Sequence, residues 1–171
     1  DKAIEIATEA INSFEKIYEK KWLNMMRDKL GLFGEDINDK ILIMELLTWM
    51  HKNKVDYTNT FCFLMNEKFS NIQIYNDKNF LIWKEKWNCR LKLNNNSQEK
   101  YLKLMHSVNP LIIPRNHKVE EALSAANDGN LEVMNKLLKI LEKPYENQND
   151  ITDFQSPAPP GSKNYQTFCG T

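Results

Sequence analysis

The sequence has 171 residues, with 23 Lys or Arg against 23 Asp or Glu and a formal net charge of zero. This balance gives no electrostatic case for nucleic acid, and no apolar run approaches the ~18–20 residues of a membrane span. The length suffices for one core or one compact domain with a tail, and three widely spaced cysteines favour a reducing cytoplasm over a disulfide framework.

The first predicted element is a long amphipathic helix over about residues 2–30, ended by Gly31 as the C′ residue. Its apolar residues advance by three or four and predict one buried stripe along ~40 Å of helix. They are Ile4, Ala7, Ile11, Phe14, Tyr18, Trp22 and Met25. Because the chain begins without Met and inside this pattern, we expect it to be cut from a longer protein.

Two helices follow. Asp36 or Asn38 is expected to cap a central helix over residues 39–52, which is apolar over much of its girth. Thr58 is expected to cap the next helix, over residues 59–68. Its inward residues are Phe61, Leu64 and Met65. The polar connection after it carries Ile72 and Ile74, which are compatible with a short extended piece.

A fourth helix, capped by Asp77, runs to about residue 93. Four residues share its inward face: Phe80, Trp83, Trp87 and Leu91. A polar break at residues 94–97 separates it from a fifth helix over residues 97–107. That helix is expected to bury Tyr101, Leu104 and Met105.

Residues 109–145 predict a helical hairpin with a stiff, extended entry set by Pro110 and Pro114. Asn116 or His117 is expected to open its first helix, with Asn116 a favourable cap, and Gly129 is expected to end it in the left-handed region. The inward positions of the two helices are Val119, Ala122, Leu123 and Ala126, then Met134, Leu137, Leu138 and Leu141. Residues 146–171 are Pro-rich and predict an extended or partly disordered tail.

The fold class predicted is therefore all-α, an array of six to seven helices ending in a helical hairpin, with residues 1–145 as the helical region and residues 146–171 as the tail. The tryptophans at helical spacing are expected in the core rather than in a binding box.

The sequence offers no catalytic, cofactor-binding or metal-binding motif. Its five glycines form no phosphate-binding loop. His51, His106 and His117 lie far apart without a partner at metal-ligand spacing, so structural roles are expected for them.

Arg115 and Cys169 are the two candidate site residues. Arg115 lies between a proline and a helix N-terminus, which suits contact with an anion or a core, or a salt bridge that holds the entry segment. Cys169 lies near the end of the tail, where an exposed thiol can react. Cys62 and Cys89 are expected to be small core residues.

The last third of the sequence contains Asn109-Pro110, Ile113-Pro114-Arg115-Asn116-His117, Pro144-Tyr145 and Tyr165-Gln166-Thr167-Phe168-Cys169-Gly170-Thr171. Together these stretches resemble the C-terminal end of the selenoprotein O (SelO) family. Upstream, Lys29-Leu30-Gly31-Leu32, Asp56-Tyr57-Thr58 and Arg90-Leu91 are also similar to that family. Cys62 departs from it, since a basic residue is expected after Phe61.

The resemblance implies a parent protein of the kinase-like (pseudokinase) type that transfers AMP from ATP to hydroxyls of proteins. ATP and Mg²⁺ (or Mn²⁺) would bind a kinase-like core that precedes this region, and that core and the protein substrates would be its partners. The chain itself would be non-catalytic, and Cys169 would take the place of a redox residue. The sequence is rich in Asn, Lys and Ile, which favours an AT-rich bacterial genome.

A stand-alone helical interaction module is the alternative function predicted for the chain. A redox-responsive element is a third.

Overall fold

The computed structural model describes residues 2–65, 73–93, 96–149 and 151–159. Within these ranges the chain has eight α-helices, one 3₁₀ helix at Gln73–Asn76 and no strand, which confirms the predicted all-α class. The α-helices are α1 (Lys2–Lys29), α2 (Asp39–Asn53), α3 (Tyr57–Leu64), α4 (Lys78–Lys92), α5 (Gln98–Val108), α6 (Asn116–Asn127), α7 (Glu132–Leu141) and α8 (Thr152–Gln155). None of the described helices combines the length and apolarity required to cross a membrane.

The chain forms two compact units. The first joins the described residues of 2–54 to those of 73–108 and contains α1, α2, α4 and α5. The second joins residues 55–65 to the described residues of 109–159 and contains α3, α6, α7 and α8. Both units are thus assembled from segments distant in sequence. The boundary at residue 145 between the helical region and the tail stays a prediction.

The core of the first unit is aromatic. Phe80 is fully buried, with its ring 4.6 Å from Trp49 and 5.6 Å from Trp83. The indole nitrogen of Trp83 donates to the carbonyl of Leu42 at 2.8 Å, so burial leaves no orphaned donor there. Trp87 is also buried, and its indole nitrogen likewise donates to a backbone carbonyl. The predicted core role is confirmed for these tryptophans, while Trp22 is only half-buried.

The expectation of a buried stripe along α1 is wrong for most of the helix. The helix forms as predicted, but residues 2–21 are all exposed, with Ile11 at 73% and Phe14 at 66% exposure. Residues 22–24 are half-buried, and Met26 is the first fully buried residue of the helix. Amphipathic spacing specifies a helix and an apolar face, but it does not specify that the partner surface lies in the same 171 residues.

Gly31 ends α1 as predicted, with φ +68°, and it lies against α5. A Cβ at this position would come within 3.1 Å of the Met105 side chain, which is fully buried. Both the backbone conformation and the close approach therefore require glycine here.

We expect Gly31→Ala to lower the free energy of unfolding by about 2–3 kcal/mol, from left-handed strain plus overpacking. Gly129→Ala is the matched control, because Gly129 has φ +85° but no described atom within 4 Å of the added Cβ. It should cost only about 1 kcal/mol. Urea unfolding followed by tryptophan fluorescence measures both, and equal losses would contradict the packing argument.

Several local predictions need correction. The cap of α3 is Asp56 rather than Thr58, because its carboxylate accepts from the Asn59 amide at 2.8 Å. Ile74 lies in the 3₁₀ helix rather than in an extended piece, and Ile72 lies outside the described residues. Asn116 is the first residue of α6, and the cap position belongs to Arg115.

Some residues predicted inward are exposed. They are Leu123 at 52%, Leu138 at 56%, and Cys89 on α4. The expected core role is confirmed for Cys62, which is fully buried. The spacing rule selects a helix face about 100° wide, and the edges of that face are decided by neighbouring elements.

The second unit is built on the predicted hairpin of α6 and α7, with Gly129 at its corner. Its core cluster comprises Ile112, Ala122, Leu137, Ile140, Ile151 and Phe154. Ile151 and Phe154 come from the segment expected to be an extended tail, and residues 152–155 form α8 instead. Burial of two large apolar side chains outweighs a sequence with no helical period. Residues 160–171, including Cys169, lie outside the described part.

Candidate functional site

A buried carboxylate lies at the start of α2. Asp39 is 0% exposed, and two guanidinium groups bind it. Nε of Arg90 donates to Oδ1 at 2.6 Å, and Nε of Arg27 donates to Oδ2 at 2.7 Å. We call Arg27, Asp39 and Arg90 the Asp39 cluster.

The Asp39 cluster also holds the loop between α1 and α2. The backbone amide of Asp36 donates to Asp39 Oδ2 at 2.9 Å. Nη2 of Arg90 donates to the carbonyls of Phe33 and Gly34, at 3.2 and 3.3 Å. Three helices and one loop are therefore tied to a single carboxylate.

The electrostatics of the cluster follow from these contacts. Burial by itself would raise the pKa of Asp39, but hydrogen bonds from Arg90, from the Asp36 amide and from Arg27 outweigh it and lower the pKa. The carboxylate is therefore ionised at neutral pH, with both oxygens already occupied by donors. Such a group stabilises the fold and is poorly suited to accept a proton from a substrate.

Sequence reasoning missed this cluster. The position of Asp39 in the first turn of a helix was visible, but its two arginine partners are 12 and 51 residues away. Nothing local in the sequence pairs them.

An open cleft of about 580 Å³ adjoins the Asp39 cluster between α2 and α4. Its lining includes Asp39, Leu42, Glu45, Lys86, Cys89 and Arg90. Lys86 and Glu45 form an ion pair across it at 2.7 Å. The charges named here therefore have partners within the unit itself.

Arg115 lies in the second unit and binds the cap of α3. Its Nη1 donates to Asp56 Oδ2 at 2.7 Å, and its Nη2 donates to Asp56 Oδ1 at 3.1 Å and to Asn59 Oδ1 at 3.2 Å. The salt bridge considered from the sequence is present, with Asp56 as the partner. Among the buried side-chain nitrogen and oxygen atoms of the described residues, Nε of Arg115 is the one without a hydrogen-bond partner. A contact with an anion or a core stays a prediction.

We expect Arg115→Ala to lower the free energy of unfolding by about 2 kcal/mol, because it removes a bidentate ion pair and uncovers the cap of α3. Lys143→Ala is the control, since Lys143 pairs with Glu146 on the surface with both side chains 62% exposed. Lys143→Ala should lower the free energy of unfolding by less than about 0.5 kcal/mol. Chemical denaturation compares the two, and similar losses would show that the Arg115 pair is not structural.

His117 is the second residue of α6 and is half-buried. Burial lowers its pKa, and the nearby Lys118 and Arg115 charges lower it further. Lys118 has a raised pKa because it donates to Asp153 at 2.6 Å. Across the described ranges, no three His, Cys, Asp or Glu side chains converge as a metal site would require.

The described part of the chain is all-helical, and the Asp39 cluster and the Arg115–Asp56 ion pair each join elements within one unit. The family model described as "Protein adenylyltransferase SelO" matches residues 3–142. The chain belongs to this family.

Three bacterial relatives are each described as "Protein nucleotidyltransferase YdiU". Over 171 or 172 residues the chain is 57% identical to the protein of Pelagibacter ubique, 43% to that of Nitrosococcus oceani and 41% to that of Clostridium beijerinckii. Each similarity covers 100% of this chain but 35% of the relative. The chain thus spans about a third of the length of these relatives.

Proposed function

We propose that the chain is the C-terminal helical region of a SelO-type protein adenylyltransferase, which transfers AMP from ATP to Ser, Thr or Tyr hydroxyls of proteins. Two comparisons carry this proposal. The family model matches residues 3–142, and the whole of this chain is similar to part of relatives that are about three times as long. The cytoplasm is the compartment proposed for it.

The region supports a kinase-like core and is itself non-catalytic. Two features favour this role. The glycines form no phosphate-binding loop, and the buried carboxylate Asp39 is held by two arginines rather than presented to a ligand. ATP and Mg²⁺ or Mn²⁺ are then bound by the core, and the partners of the region are that core and the protein substrates.

Calorimetric titration of the 171-residue chain with ATP and Mg²⁺ tests the non-catalytic role. No heat of binding is expected, and micromolar binding would overturn it. The longer protein, incubated with labelled ATP and a protein substrate, should incorporate AMP. Failure of AMP incorporation by the longer protein would overturn the proposed activity.

A stand-alone helical interaction module is the second candidate, and the exposed apolar residues of α1 favour it. The reading frame upstream of Asp1 separates the two. Several hundred preceding codons with a kinase-like Lys, Glu and metal-binding Asp favour the enzyme, whereas an immediate start codon favours the module.

A further inference from the structure

Residues 2–20 of α1 place their polar and their apolar side chains on separate sides of the helix. At 100° per residue, the apolar residues of α1 from position 3 to position 18 fall within one arc of about 160°. They are Ala3, Ile4, Ile6, Ala7, Ala10, Ile11, Phe14, Ile17 and Tyr18, and we call them the α1 apolar face. The charged residues from position 2 to position 20 all lie on the opposite side.

The α1 apolar face is exposed along its whole length. Its six large side chains are 56–73% exposed, among them Ile11 and Phe14. Monomeric proteins rarely leave so continuous an apolar surface in water, and a contiguous patch of this kind marks an interaction surface.

The contact that α1 makes here with its own unit uses the polar side. Glu19 forms an ion pair with Lys40 of α2. This ion pair, whose side chains are 56% and 51% exposed, uses the polar side of α1, and the α1 apolar face stays uncovered.

We propose that the α1 apolar face docks onto the part of the longer SelO-type polypeptide that lies outside this chain, an inference that rests on the proposed function. The relatives carry about two thirds of their length outside the matched region, and polypeptide of this kind is the occupant that the proposal requires. A covalently attached surface also acts at a high effective concentration, which a second molecule does not.

The width of the face distinguishes this occupant from a second copy. A two-stranded coiled coil buries a narrow seam, whereas an arc of about 160° needs a groove or two surfaces to cover it. A groove on a larger domain can cover such an arc, and a single partner helix cannot.

Cysteine labelling of two adjacent positions tests the proposal. Ile11→Cys lies on the α1 apolar face, and Asn12→Cys is the matched control on the polar side. Maleimide labelling is read by mass spectrometry on the peptide that contains both positions. In the 171-residue chain both should be labelled at similar rates, and in the longer protein Ile11→Cys should be labelled roughly tenfold more slowly or less.

Equal labelling of the two positions in the longer protein would overturn the proposal. Protection that weakens on dilution would also overturn it, because it would identify a second copy as the occupant. Labelling does not depend on catalysis. A longer protein that protects position 11 but transfers no AMP would contradict the proposed activity and still support the docking.

Discussion

Asp39→Ala should lower the free energy of unfolding of the chain by about 3–5 kcal/mol, because it leaves two buried guanidinium groups without their counter-ion. The carboxylate is 0% exposed, and the side chains of Arg27 and Arg90 are 9% and 7% exposed. The carboxylate also accepts a hydrogen bond from the backbone amide of Asp36, so its removal frees the loop between α1 and α2. Guanidinium unfolding followed by tryptophan fluorescence measures the loss.

Glu35→Ala is the control for this prediction. Glu35 also pairs with Arg27, at 3.5 Å, but its side chain is 72% exposed. The loss should stay below about 1 kcal/mol. If Asp39→Ala costs no more than Glu35→Ala, the cluster does not hold the first unit together.

Because of the Asp39 cluster, we expect the free energy of unfolding of the chain to depend on pH in the acid range. Folding lowers the pKa of Asp39, so its contribution is present above the ordinary aspartate pKa and is lost as pH falls through the folded value. The wild-type chain should therefore lose stability steeply in the acid range. Asp39→Asn, which keeps the shape without the charge, should show a shallower slope, and an unchanged slope would assign the acid sensitivity elsewhere.

Phe80→Ala should lower the free energy of unfolding by about 3–5 kcal/mol, through lost apolar burial and the cavity that remains. Phe80 is 0% exposed and lies between the rings of Trp49, Tyr75 and Trp83, with centroids 4.6, 5.2 and 5.6 Å away. These contacts between aromatic rings stabilise the fold beyond the contribution of the buried apolar surface. Urea unfolding at constant pH measures the change.

The neighbouring position supplies the control. Leu81→Ala removes an apolar side chain that is 46% exposed on the same helix, and alanine favours a helix at either position. Its loss should be below about 1 kcal/mol. Comparable losses at positions 80 and 81 would contradict the assignment of Phe80 to the centre of the core.

Local signals in the sequence predicted most of the secondary structure. The cap at Asp77, the glycine end at Gly31 and the hairpin corner at Gly129 depend on a few adjacent residues, and each is found as predicted. The aromatic face of α4 follows from a single helical period, and its residues are buried. Such features are local because hydrogen bonds and dihedral preferences within one or two turns decide them.

Features that join distant segments were not predicted. The grouping of α3 with the hairpin, the α8 turn at residues 152–155 and the Asp39 cluster all depend on side chains that meet only after folding. Asn59 illustrates this, since its amide donates at 3.1 Å to the carbonyl of Gln155, 96 residues later. No periodicity encodes such a pair.

The sequence by itself determined the all-helical class, the positions of the main helices and the resemblance to the SelO family, because repeat spacing, caps and motif wording are properties of neighbouring residues. Only the tertiary structure decided which apolar faces are covered. Along α4 the face meets other aromatic rings, whereas along the first two thirds of α1 an equally regular face stays in solvent. The physical reason is that an amphipathic period records the need for a partner surface, while burial requires that surface to be present.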